Sequence, residues 1–103
     1  MKLFDIFVNE YFAIMEHLLK QLKVQNDKIL IDSNKFYVFL DKNLYLKRKD
    51  KLQIYKKLNL ITCNSKGYTS VFYDKTTKKS QRKIILNLTT YKILKLMYET
   101  NLI

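Results

Sequence analysis

The chain contains no proline and no tryptophan, and only one glycine, one cysteine and one histidine. Without proline, no helix ends because a backbone donor is missing, so boundaries must rest on caps and on Gly67. A lone cysteine, Cys63, excludes an internal disulfide and a cysteine-based zinc cluster. The lone histidine, His17, has no second histidine or nearby cysteine and reads as solvated rather than catalytic or ligating. No metal or cofactor is therefore expected. No apolar run approaches the ~20 residues of a membrane span. At the N-terminus only Lys2 precedes an apolar stretch interrupted by Asp5, Asn9 and Glu10, which is unlike a signal peptide. A cytoplasmic location without membrane insertion is the expectation. Acids are scarce, 9 against 20 bases, and fall singly along the chain. With no G-x-S-x-G, phosphate loop, Cys-His pair or carboxylate cluster, the chain does not read as an enzyme.

What is present is apolar, aromatic and basic. Of 103 residues 48% are hydrophobic, with 8 Tyr and 6 Phe. That suits one folded domain over residues 1–103. The net charge is +11, and its position is more informative than its size. Residues 42–83 hold 13 Lys and Arg against Asp50 and Asp74, whereas the rest of the chain holds 7 bases and 7 acids. A general lysine bias would spread the charge evenly. A localised basic face predicts a polyanionic partner.

Periodicity predicts helix, strand, helix, helix, strand, strand, helix. The first helix spans residues 3–23 and carries apolar residues around about half its circumference, wider than one core contact needs. Residues 28–31 form a short strand. Asp32 or Ser33 caps a second, largely internal helix over residues 34–41, and Leu44 and Leu46 are expected to plug the following turn into the core. After the third helix come three strand candidates, Leu60–Asn64, Tyr68–Asp74 and Arg82–Leu88. Asn64-Ser65-Lys66-Gly67 is a tight-turn signal. Either these strands form a three-stranded meander, or they form one long hairpin whose first strand is interrupted near 64–67. The preferred pairing is Tyr68–Asp74 with Arg82–Leu88, leaving 75–81 as a polar tip. Thr89 or Thr90 caps a last helix, Tyr91 to Asn101. The wide apolar arcs of the first and last helices predict a homodimer through Phe4, Val8, Tyr11, Phe12, Met15, Leu19, Leu94, Met97 and Tyr98.

The third helix organises the chain. Between Lys47 and Ile61, at 100° per residue, Leu52, Ile54, Tyr55 and Leu58 share one side, and Lys49, Gln53, Lys56 and Lys57 share the other. Asn59 stands where a left-handed residue ends a helix. Lys47, Arg48, Lys49 and Lys51 crowd the helix N-terminus, the end whose dipole favours anions. A phosphate bound there would relieve that conflict.

This element order, with DKLQIYKKLNLI leading to RKIILNLTTYKIL, resembles the winged helix-turn-helix superfamily over nearly the whole chain. Asn59 replaces the glycine that many members carry, and the stretch from Ile61 to Lys83 exceeds the usual wing. The resemblance implies an α+β domain that binds double-stranded DNA as a dimer. It places Lys47, Arg48, Lys49, Gln53, Lys56 and Lys57 on a recognition helix, and Lys75, Lys78, Lys79, Ser80, Gln81, Arg82 and Lys83 on the wing. In size and lysine content the chain is also similar to small winged-helix conjugation proteins of clostridial plasmids. That similarity implies binding to origin-of-transfer repeats within a relaxosome, with other conjugation proteins as partners. A transcriptional regulator of the same fold, an RNA-binding protein stacking bases on Tyr68 and Tyr73, and a small basic ribonuclease are the alternatives.

Overall fold

A computed structural model describes residues 2–63 and 67–100. The chain is α+β, with four helices and an antiparallel sheet of four strands among these residues. In order these are α1 (Leu3–Gln21), β1 (Lys28–Asp32), α2 (Ser33–Asp41), α3 (Arg48–Lys57), β2 (Ile61–Thr62), β3 (Ser70–Asp74), β4 (Lys79–Asn87) and α4 (Leu88–Glu99). Asn64, Ser65 and Lys66 of the expected turn, and the expected helix end at Asn101, lie outside the described residues.

With one glycine in the chain, left-handed backbone positions fall to Asn26, Asp27, Asn59 and Lys78, of which the first three are the type best able to adopt them. Asn26 and Asp27 both have positive φ, and Gln25 and Lys28 exchange backbone hydrogen bonds at 2.9 Å across them. This two-residue turn reverses the chain into β1 as a type I′ turn does.

β4 is the central strand. Lys83 pairs with Asp32 of β1 and with Ser70 of β3, so those strands flank it on opposite sides. β2 pairs with Ile85 and Leu86, inward of β3 on the same side. β2 and β3 thus both lie along one edge of β4, β2 beside its inner half and β3 beside its outer half. The interrupted long hairpin is the layout observed, and the meander is not. The preferred register shifts accordingly: Ser70–Asp74 pairs with Lys79–Lys83, and the apolar half of β4 pairs with β1 and β2 instead. Ile84 and Leu86 are fully buried; across the strands they stand beside the buried Ile31 and Ile29 of β1, and Leu86 also beside Ile61 of β2.

The core gathers on Tyr55 of α3. Its ring meets Phe7 and Tyr11 of α1 at 5.1 and 5.5 Å and Phe36 of α2 at 5.4 Å, all edge to face. Such pairs contribute ~0.5–1.5 kcal/mol each beyond area burial. On the other flank of α1, Tyr11 and Phe12 meet Tyr91 of α4, and Phe12 meets Tyr98. Around Tyr11 and Phe12 the wide apolar arc of α1 is therefore covered by α4 of the same chain, while Leu3 and Phe4 stay exposed. Leu44 does not plug the α2–α3 turn; it is 86% exposed, and the amine of Lys51 occupies the inner side of that turn. The second helix is also less internal than expected, since Val38 lies exposed.

α4 starts earlier than expected, at Leu88 after Asn87. Thr89 and Thr90 lie inside it. Asn87 is buried and its side chain serves the sheet rather than the cap. Its Oδ1 accepts from Lys28 Nζ and Thr62 Oγ1, and its Nδ2 donates to the Asn59 carbonyl. No helix among the described residues is long and apolar enough to cross a membrane.

Candidate nucleic-acid interface

α3 is anchored by its apolar side and closed by its C-cap. Leu52 and Tyr55 are buried and Ile54 is half-buried, while Lys49, Gln53, Lys56 and Lys57 face outward. Asn59 has φ 57°. The Asn59 N–H donates to the Lys56 carbonyl at 3.1 Å, and the Leu60 N–H to the Tyr55 carbonyl at 2.9 Å. These two bonds form a Schellman closure, with Leu60 and Tyr55 as its apolar contact. The chain then enters β2 directly, so the position of α3 is tied to the central sheet.

The crowded N-terminus of α3 finds its anions within the chain. Lys51 is fully buried: its Nζ reaches Glu10 at 3.1 Å, the Leu40 carbonyl at 2.5 Å and the Asn43 carbonyl at 2.7 Å. It also sits 4.3 Å from the Tyr45 ring centroid. Arg48 is paired with Asp41, and Asp50 lies in the first helical turn. The relief assigned above to a bound phosphate is thus supplied by Glu10, Asp41 and Asp50, and Lys51 is unavailable to any ligand. Lys47 and Lys49 remain exposed at this end. Hydrogen bonding from Arg48 holds the Asp41 carboxyl below the usual carboxylate range.

Residues 70–83 form a two-stranded ribbon. Cross-strand partners share a face, so Val71 and Tyr73 lie with Arg82 and Ser80, while Phe72 and Asp74 lie with Gln81 and Lys79. Residues 71–73 and 79–82 are exposed, so over this length neither face is covered by the rest of the chain and the ribbon projects. Lys79, Ser80 and Gln81 belong to β4 rather than to the tip, together with Arg82 and Lys83 of the expected strand. The tip is the shorter segment Lys75–Lys78. It is held by the Thr76 N–H donating to Asp74 Oδ1 at 2.8 Å and by positive φ at Lys78. The sequence reading extended the tip because residues 75–81 are uniformly polar. Strand pairing here depends on the opposite strand, which polarity does not reveal.

One contact ties the helix edge to the segment leading into the ribbon, and a second closes the ribbon's base. Lys56 Nζ lies 5.8 Å from the Tyr68 ring centroid, and Arg82 Nη1 reaches Thr69 Oγ1 at 3.4 Å. Lys83 Nζ lies 6.0 Å from the Phe72 centroid. Tyr73 is 62% exposed and Tyr68 half-buried. Sequence reasoning missed Val71 and Phe72 as exposed ribbon residues, because a consecutive apolar run such as Val71-Phe72-Tyr73 normally marks a buried strand.

The expected dimer residues divide. Val8, Tyr11 and Met15 are fully buried within the chain and are unavailable to a partner; Tyr55 of α3 and Tyr91 of α4 pack on Tyr11. Phe12, Leu19, Leu94 and Tyr98 are half-buried against the same core. Phe4 is exposed and Met97 half-buried, and with Leu58, Leu60, Ile93 and Leu94 they line a cleft of about 220 Å³. Leu3, Ile93 and Leu96 extend the exposed apolar surface beside it.

No cluster of three or more His, Cys, Asp or Glu side chains suited to a metal occurs among the described residues. His17 is exposed, with its ring 5.4 Å from that of Phe39. Burial pushes the Cys63 thiol up, which disfavours the reactive thiolate form. The cleft holding the Lys28–Thr62–Asn87 cluster, about 390 Å³, is polar and also lined by Asn26, Asp27, Asn59, Thr89 and Thr90. No family model matches the chain, and no curated protein matches it in sequence.

Proposed function

We propose that this chain is a winged helix-turn-helix protein that binds double-stranded DNA sequence-specifically, with α3 as the reading helix and the β3–β4 ribbon as the wing. The observation that supports it most is the segregation of charge. The segment holding 13 bases and two acids contains both α3 and the ribbon. Once Lys51 is set aside as internal and Arg48 as paired, the remaining bases include Lys49, Lys56 and Lys57 on the outward side of the helix and Lys75, Lys78, Lys79 and Arg82 on the ribbon. A helix of this size enters a major groove, where Gln53 can pair with adenine and lysines with guanine acceptors. A thin basic ribbon suits a minor groove or a phosphate ridge.

In size, lysine content and element order the chain resembles TcpK, a clostridial conjugation protein. We therefore place its role in plasmid conjugation, at origin-of-transfer repeats and beside other relaxosome proteins. A homodimer fits repeated half-sites. The apolar surface around Phe4, Ile93, Leu96 and Met97 is the face for it, replacing the buried residues of the wider expectation. Sedimentation at micromolar concentration should give a dimer; a monomer of 12.5 kDa refutes that part.

Binding of duplex DNA, single-stranded RNA and heparin should be compared at two salt concentrations, together with an RNA cleavage assay. Duplex fragments containing the cognate site should bind more tightly than heparin-competed random duplex. Equal binding of all three polyanions, preference for single strands, or RNA cleavage overturns the reading. Gln53→Ala should relax one base position and weaken the best site by about 1–3 kcal/mol.

A further inference from the structure

Arg48 is held by two residues of α2. Its Nε donates to Asp41 Oδ1 at 3.0 Å, its Nη2 donates to Asp41 Oδ2, and its guanidinium carbon lies 4.5 Å from the Tyr37 ring centroid. Asp41 is the last residue of α2 and Arg48 the first of α3, so the clasp bridges the turn between them. Both side chains are nearly half exposed, 42% and 45%, which leaves room for a ligand on the open side.

The donor inventory is decisive. A guanidinium carries five N–H donors in a rigid plane. Asp41 occupies the edge formed by Nε and one Nη2 proton. The end-on edge remains, where one proton from each Nη group points outward in parallel. That pair matches O6 and N7 of guanine in the major groove, and N-terminal residues of a reading helix are those that meet base edges. Asp41 also places a negative charge at a face otherwise suited to phosphate. For general attraction to DNA that is a loss. For fixing the direction of one guanidinium it is a gain. Only two of the 20 basic residues are arginine, and a lysine here would supply the charge but not the second edge.

We propose that Asp41 is a positioning residue that aims the end-on edge of Arg48 at a guanine, making the pair a base-reading element. This rests on the duplex-DNA reading above. The Tyr37 ring supports the face of the guanidinium, and the carboxylate fixes its rotation, so little side-chain freedom is left to lose on binding.

The test is selection of bound sites from a random duplex library by the wild type and by Asp41→Asn, Arg48→Lys and Glu16→Gln. Glu16→Gln removes the same charge at a remote pair, Glu16–Lys95 at 2.9 Å. The wild type should select guanine at one position of its site. Asp41→Asn and Arg48→Lys should both lose that preference by on the order of tenfold in relative affinity, at that position and no other. Glu16→Gln should select as the wild type does. Thermal melts verify that all four proteins are folded. If the wild type has a site preference and Asp41→Asn retains the guanine, or loses every position uniformly, the clasp is only a surface ion pair and the proposal fails alone. If the wild type shows no duplex preference, the DNA reading fails with it.

Discussion

Lys51 Nζ lies 3.1 Å from Glu10 Oε1 with neither side chain open to water, 0% and 7% exposed. The pair ties the first turn of α3 to the middle of α1, and the same amine holds the carbonyls of Leu40 and Asn43. Taking two charges out of water is costly, and removing one partner leaves the other buried alone. Lys51→Met or Glu10→Gln should therefore cost about 3–5 kcal/mol in urea unfolding. The double variant Glu10→Gln/Lys51→Met should cost less than the sum of the two single losses. It should not return to wild type, because the two carbonyls lose their donor. Additive losses would mean that the two residues act independently.

Tyr11 and Tyr55 bury their hydroxyls without a hydrogen-bond partner among the described residues. Burial pushes both phenols well above their ordinary range. Such hydroxyls are desolvated on folding without compensation. Tyr55→Phe and Tyr11→Phe keep the edge-to-face contacts and should leave stability unchanged or raise it by up to about 1 kcal/mol. A fall in melting temperature in either variant would reveal a partner for that hydroxyl.

Asn59 occupies the left-handed position with only its carbonyl bonded across the sheet, to Asn87 Nδ2. Glycine adopts that backbone without a Cβ penalty. Asn59→Gly should hold or slightly raise stability, and Asn59→Val should lower it by roughly 1–2 kcal/mol. Equal stability of Gly and Val variants would show that φ at this position relaxes.

Lys75, Lys78 and Lys79 stand at the ribbon end, where no core contact is at stake. Each phosphate neutralised contributes about 0.9 to the slope of log affinity against log salt. The triple alanine variant should flatten the slope by roughly 2–3 units with its melting temperature unchanged. An unchanged slope would reduce the ribbon to a solubility device.

The Asp74 carboxyl is held below its usual range, chiefly by the backbone N–H of Thr76. A depressed folded value means that this contribution is complete above the unfolded value, about 3.9, and is lost as pH falls through the folded one. Amide signals of the ribbon tip should therefore change at lower pH than an ordinary aspartate titrates. A midpoint at or above the ordinary value would contradict the Thr76 contact.

Much of the architecture follows from local rules that the chain states in its own residues. The apolar spacing of Leu52, Tyr55 and Leu58, the left-handed Asn59, the break at Asn26-Asp27 and the concentration of charge between 42 and 83 each depend on neighbours a few positions away. The side chains that proved different depend on distant ones. Lys51 is written like the lysines around it, and only the arrival of Glu10 and two turn carbonyls turns it inward. Residues 79–81 are polar enough for a loop, and only β3 opposite makes them strand. Much of the surplus apolar arc of α1, around Tyr11 and Phe12, became an interior because Tyr91 and Tyr98 of α4 return from the far end of the chain to cover it. Arg48 was legible as a base, but its direction is set by Asp41 and Tyr37 on another helix. Periodicity reports which faces are apolar and where charge is dense. Which face is covered, and which charge stays free, is decided by long-range packing.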